Sequence, residues 1–153
     1  SLSGKKLRQK RLGNYGISDL IFVKKVYSER LDYDNFESKI LDVGLDITIC
    51  ELKKDKVGIS AYLQSIRYAR GIQRYLIKRN FTNFNLSILL CGSKIDDSGD
   101  FIFLTDLFRN YVEDIEFEFN SCVKHIDFYT YNYGFNGLDF KKHEGYRLTN
   151  EGF

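Results

Sequence analysis

Residues 86–91, Leu-Ser-Ile-Leu-Leu-Cys, constrain the fold more than any other stretch of the chain. A run this short and this nearly continuously apolar reads as a buried strand at the centre of a sheet. Residues 45–53, LDITICELK, form a second strand, rich in β-branched side chains. Between the two, apolar residues Ile59, Tyr62, Leu63, Ile66, Ala69, Ile72 and Leu76 recur at steps of three and four. That spacing predicts a helix over 59–78. Upstream, 7–12 reads as a short strand, Asn14-Tyr15-Gly16 as a turn, and 17–26 as a strong strand. Residues 27–40 are polar and irregular and predict a hairpin excursion. Downstream, 81–84 is a connector, 101–104, 115–119 and 123–131 are strands, and the aromatic-rich 128–147 is strand plus loop. The order strand-strand-strand-helix-strand, then further strands, predicts an α/β fold: a mixed sheet with a helix on at least one face.

With 153 residues and 43% apolar content, one domain with a sizeable core is expected, its core at about 8–95 and a β-rich extension over about 96–153. No apolar run approaches the length of a membrane span, and the basic first twelve residues lack the apolar core of a signal peptide. The chain contains no Met, so it is expected to derive from something longer. Cys50, Cys91 and Cys122 are odd in number and widely spaced, which argues against a disulfide framework or a zinc site. They read as reduced core cysteines of an intracellular, cytoplasmic protein. Richness in Tyr, Asn, Lys, Phe and Ile suits an AT-rich coding sequence, such as that of a phage or mobile element.

The formal charge of +2 hides a segregation. Residues 1–12 hold five basic groups and no acid. Residues 56–95 hold Lys56, Arg67, Arg70, Arg74, Lys78, Arg79 and Lys94, again with no acid, and the remainder is net acidic. A stretch of that length kept free of acids suggests a surface for a polyanion. Arg67, Arg70, Arg74 and Lys78 fall at helical steps and make a basic stripe whose natural partners are phosphate oxygens. A solvated helix face would produce the same stripe. Tyr62, Tyr68 and Tyr75, interleaved with it, read first as packing residues.

Glu51 and Lys53 carry the chemistry. Two apart on a strand, they project to one face, about 7 Å apart along it. They close an otherwise apolar strand, where two charges need a reason. One is a structural ion pair. Another is a divalent-metal site, with the carboxylate on Mg²⁺ and the lysine positioning a water or stabilising charge on a phosphoryl group. A second carboxylate is then required. Asp19 sits inside the apolar strand 17–26, where an unpaired charge is costly. Asp46 lies an odd interval from Glu51 and faces away on a regular strand. Asp42, before the strand, is a loop candidate. Asp19 ranks first, with Asp42 and Asp46 the alternatives. On the helix, Gln64 and Tyr68 share a face. Gln64 offers a donor and an acceptor suited to holding a metal-bound water or an active-site neighbour.

Asp19, then Glu51-Leu52-Lys53 at a strand end, then Gln64-Ser65-Ile66-Arg67-Tyr68 on a helix, resembles the PD-(D/E)xK nuclease superfamily. It is similar in particular to the branch with a Gln-x-x-x-Tyr helix. Gly16-Ile17-Ser18-Asp19-Leu20 stands where that branch often has Gly-x-x-Asp-hydrophobic. The resemblance spans roughly 8–95. It implies a restriction-endonuclease-like core of four strands flanked by helices, and phosphodiester hydrolysis with Mg²⁺ or Mn²⁺. Asp19, Glu51 and the Leu52 carbonyl would ligate the metal. Lys53 would act on the nucleophilic water, and Gln64 and Tyr68 would support the site; on the charge pattern, Lys56, Arg67, Arg70, Arg74 and Lys78 would contact nucleic acid. The expected partner is nucleic acid, DNA before RNA, with a homodimer or a larger parent protein as further expectations and no membrane. The chain departs from the pattern in having Ser18 for the naming Pro and a long segment between Asp19 and Glu51. The first helix, which often carries an accessory Glu, is not visible.

The rivals are a catalytically silent nucleic-acid-binding module of the same fold, and an unrelated α+β protein in which Glu51 and Lys53 are a surface pair. Retention of both Glu51 and Lys53 weighs against the first. His125 reads as a strand histidine and His143 as solvated in a polar loop. The glycines at 92, 134 and 137 read as turn glycines.

Overall fold

The computed structural model describes residues 4–32, 37–96, 101, 121 and 123–143, with side chains left aside at 17, 28–32 and 37–42. The chain is mixed α/β. Its strands are β1 (Lys5–Arg11), β2 (Ile17–Asp32), β3 (Glu37–Leu52), β4 (Lys56–Val57), β5 (Phe84–Gly92), β6 (Lys94–Ile95), β7 (Val123–Gly134) and β8 (Gly137–His143). A 3-10 turn, Gly13–Tyr15, joins β1 to β2, and one helix, α1 (Ile59–Lys78), lies between β4 and β5. Six strands form one sheet in the order β1-β2-β3-β5-β7-β8, while β4 and β6 make a small separate ribbon. β1, β2 and β3 run antiparallel in succession. β3, β5 and β7 are mutually parallel, and β8 returns antiparallel to β7.

The apolar run 86–91 is the core of β5, between β3 and β7, with Phe84, Leu86, Ile88 and Leu90 almost wholly buried. Parity sorts β3 the same way. Ile47, Ile49 and Glu51 are buried on one face, and Asp46 is exposed on the other. α1 covers the face holding Ile47 and Ile49, contributing Ala61, Tyr62, Tyr68, Ala69 and Ile72 to a common core with Ile21, Leu86, Ile88 and Leu90. Two strands that are parallel neighbours need a long connection, and α1 fills that role between β3 and β5.

α1 starts after the extended Gly58 and ends at Arg79, with Asn80 at φ 58°, a conformation Asn tolerates. Lys78 in its last turn complements the helix dipole. The helix has the predicted limits, but its buried stripe is rotated from the predicted one. Ile59 and Leu63 are exposed, and the small Ala61 and Ser65 are buried instead. Close approach to the sheet favours small side chains there, a selection that apolar periodicity cannot report.

Other expectations are corrected. The hairpin excursion expected at 27–40 is formed, but its described residues are strand rather than irregular: β2 continues to Asp32 and β3 begins at Glu37, with a register shift at Ser28/Glu29. Asp42 therefore lies inside β3 rather than in a preceding loop. Phe101 is helical, not strand, and its ring meets Tyr62 and Phe128 edge-on. His143 is on β8, within 2.8 Å of the Thr130 hydroxyl, not in a loop. The predicted strand 115–119, residues 102–104, Cys122 and 144–147 lie outside the described residues. Cys50 and Cys91 are buried and unbridged. No helix among the described residues is long and apolar enough to cross a membrane.

Candidate active site

β2 and β3 bring the two acids together. Their register pairs Ile21 with Ile49 and Leu20 with Cys50. Carried one residue further, it sets Asp19 across from Glu51, on the helix-covered face. The carboxylate of Asp19 accepts a hydrogen bond from the Leu52 backbone N–H through Oδ2, at 3.0 Å. Its negative charge acts on Glu51. The alternatives fall away on distance. Asp46 is exposed and pairs with Lys24, about 17 Å along the strand from Glu51. Asp42, opposite Ser28, is farther still.

Glu51 ends a buried strand and its side chain is only 3% exposed. Oε1 accepts a 2.9 Å hydrogen bond from Lys53 Nζ. Oε2 is buried with no hydrogen-bond partner. Burial pushes the Glu51 carboxyl above the usual carboxylate range, the bond from Lys53 opposes that, and the Asp19 charge adds to it.

Lys53 is held from two sides. Its backbone N–H donates to the Cys91 carbonyl of β5 at 2.8 Å. Its ammonium donates to Glu51 Oε1 and to Gln64 Oε1, each at 2.9 Å. The side chain stays 31% exposed, so the charge is oriented while in reach of solvent. Gln64 comes from the second turn of α1 and interacts in turn with the Tyr68 hydroxyl. Tyr68 is 2% exposed, and burial followed by the Glu51 charge raises its phenol pKa. Its ring lies against Gly16, where a Cβ would come within 2.8 Å of Cε1. Gly16 also adopts φ +113°, open to glycine, so the residue before β2 lets the tyrosine in on both counts.

Asp19, Glu51, Leu52, Lys53, Gln64 and Tyr68 thus converge as the sequence predicts. The basic set does not converge with them. Lys56 is paired with Asp96 at 3.1 Å. Arg70 donates to Gln73 at 2.7 Å, and Arg74 to the Tyr15 hydroxyl at 2.8 Å, its guanidinium carbon 6.0 Å from the centre of that ring. Arg67 is exposed one turn from Gln64, and Lys78 lies about 21 Å from Gln64 along the axis. Sequence reasoning missed Lys6, Arg8 and Gln9 of β1, which share a cavity with Asp19, Leu20 and Leu52. The acid-free first twelve residues were the signal for them. In comparisons with known proteins, no family model, no curated protein and no solved structure matches the chain.

Proposed function

We propose that the chain is a metal-dependent nuclease domain of restriction-endonuclease-like type, hydrolysing phosphodiester bonds in nucleic acid and acting on DNA before RNA. One observation carries this reading: Glu51, nearly solvent-free, has one oxygen on Lys53 and the other without a partner, opposite a second carboxylate. A buried carboxylate oxygen left unsatisfied is costly, and a cation between the two acids would relieve it. The donors fit a hard divalent ion, Mg²⁺ or Mn²⁺, which binds oxygen and keeps positions for water and substrate phosphate. Asp19, Glu51 and the Leu52 carbonyl would hold it. Among the described residues no group of three or more His, Cys, Asp or Glu is placed to bind a metal. Two carboxylates and a carbonyl suit an ion that completes its shell from the substrate. The element order β1-β2-β3-β4-α1-β5, with β3 and β5 parallel neighbours in the sheet, supports the same fold type.

A bound ion supplies Lewis acidity and an activated water. The chain's own residues supply the rest. Lys53 has three ammonium donors, two of them committed to Glu51 and Gln64. The third serves a phosphoryl oxygen or the attacking water and stabilises charge as it builds. Gln64, fixed by helix α1, keeps the ammonium aimed, and Tyr68 holds Gln64.

The test is hydrolysis of single-stranded, duplex and branched DNA, and of RNA, with Mg²⁺ or Mn²⁺. Wild type is expected to cleave, and Lys53→Ala and Asp19→Ala to lose roughly 100-fold or more, the usual cost of removing a group that stabilises transition-state charge. Equal cleavage by all three proteins would sink the mechanism.

A further inference from the structure

Among the described residues strand β1 forms one edge of the sheet, and its register sorts its cations by face. Lys6 pairs with Phe22, Arg8 with Leu20 and Lys10 with Ser18, so all three project to one side. Leu7, opposite Ile21, turns instead to the core under α1. The row Lys6, Arg8, Lys10 therefore lies on the sheet face away from the helix. Successive members are about 7 Å apart, close to the separation of successive phosphates along one nucleic-acid strand.

Lysines on an edge strand also discourage edge-to-edge pairing, and that role alone would leave them on a flat, solvated surface. Here the surface is concave. A cavity of about 570 Å³ is lined by Lys6, Arg8, Gln9, Asp19, Leu20 and Leu52. Gln9 sits at φ 42°, a left-handed conformation that a residue with a side chain rarely adopts. The pairs Arg8↔Leu20 and Lys10↔Ser18 bracket it and Asp19. Among the described residues the one carboxylate on the wall is Asp19, whose Oδ2 is engaged by the Leu52 N–H. The cavity thus begins at two cations and ends at an acid of the candidate site.

We propose that Lys6, Arg8 and Gln9 form a cradle for the phosphate backbone of a nucleic acid on the face of the sheet away from α1, holding it beside Asp19 at the open end of β2 and β3. The identity of the ligand rests on the nuclease reading. The binding face is then β1, opposite the basic stripe of α1, where Arg70 and Arg74 already have partners within the chain.

The experiment is fluorescence anisotropy in EDTA, where no hydrolysis occurs, with labelled single-stranded DNA, duplex DNA and RNA of one sequence. Salt is titrated over 50–200 mM, and thermal melts confirm that each variant folds. Each phosphate contact contributes about 0.7–0.9 to the slope of log affinity against log salt. Lys6→Ala/Arg8→Ala is expected to lower the slope by about 1.4–1.8 and to weaken binding roughly tenfold at low salt, on any sequence. Lys141→Ala/Lys142→Ala, the same charge change on the opposite edge strand, is expected to leave the slope as in wild type. An unchanged slope in Lys6→Ala/Arg8→Ala, with cleavage by wild type intact, overturns the cradle and spares the nuclease reading. So does a slope that falls only for Arg67→Ala/Arg70→Ala, which would move the binding face to α1. Wild type that neither binds nor cleaves any of the three nucleic acids overturns both.

Discussion

Asp19 and Leu52 are joined across β2 and β3 by a hydrogen bond from the Leu52 backbone N–H to the Asp19 carboxylate. The bond fixes the carboxylate at the open end of the two strands, on the side where Glu51 carries its unsatisfied oxygen. It also separates structure from chemistry at Asp19. Asn keeps an oxygen that can accept the N–H, whereas Ala does not. Asp19→Asn is therefore expected to melt within about 0.5 kcal/mol of wild type, and Asp19→Ala to lose about 0.5–1.5 kcal/mol, the net worth of one hydrogen bond. Hydrolysis is expected to fall roughly 100-fold or more in both, because each removes the negative charge offered to a divalent ion. Asp46→Ala, exposed on the opposite face of β3, is expected to cleave as wild type does. Activity retained in Asp19→Asn, or lost in Asp46→Ala, would remove Asp19 from its role.

The orphaned oxygen of Glu51 predicts a stability readout that needs no substrate. Mn²⁺ at about 100 times its dissociation constant is expected to stabilise the fold by about 2.7 kcal/mol, the mass-action value for a ligand of the native state alone. For a chain of this size that raises the melting temperature by roughly 5–10 °C. Glu51→Gln is expected to abolish the shift. Lys53→Ala is expected to keep or enlarge it, since the ammonium no longer competes for Oε1. A shift that survives in Glu51→Gln would place the ion elsewhere.

What the sequence discloses follows from the range of each signal. α1 was legible because twenty residues of helical period outweigh any local ambiguity, and β5 because its strand is almost entirely apolar from Leu86 to Cys91, with Ser87 the one polar residue there. Glu51 and Lys53 were legible as a pair because strand parity is local. Asp19 joined them through a guess about neighbouring strands that the β2–β3 register supports. The long arms of that hairpin were not legible, since residues 27–40 have no face alternation of the kind that core packing imposes. The β1 cradle was invisible for a different reason. Which face Lys6 and Arg8 share depends on pairing with β2, and which residues line the cavity depends on the end of β3, some forty residues away.

Gly16 predicts a coupling between backbone and site. Alanine there meets the Tyr68 ring at 2.8 Å and must adopt φ +113°. Strain and overpacking of this kind cost about 1–3 kcal/mol each, so Gly16→Ala is expected to destabilise by at least about 2 kcal/mol in urea unfolding. Displacement of Tyr68 would also loosen Gln64 and the aim of Lys53, lowering kcat more than it raises KM. Tyr68→Leu, which relieves the crowding, is expected to recover part of the stability in the Gly16→Ala background but not the activity. Additive stability losses in the double variant would show that the two positions are not in contact.

Cys50 predicts the alkaline limit of the fold. Burial, then the neighbouring Cys91, pushes its thiol from 9.0 to about 12. A group whose pKa is raised on folding adds stability that is fully present below the unfolded value and drains away as pH climbs towards the folded one. The window is therefore about pH 9 to 12. Across it wild type is expected to lose up to about 1.4 kcal/mol per pH unit more than Cys50→Ala does, the equivalent of one proton. Cys50→Ala itself should be weaker at neutral pH, by the roughly 1 kcal/mol of a small cavity, with a shallower alkaline slope. Urea titrations at pH 7, 9 and 10.5 measure both quantities. Parallel slopes for the two proteins would mean that the thiol ionises as freely in the fold as in the open chain, contrary to its burial between β2 and β5.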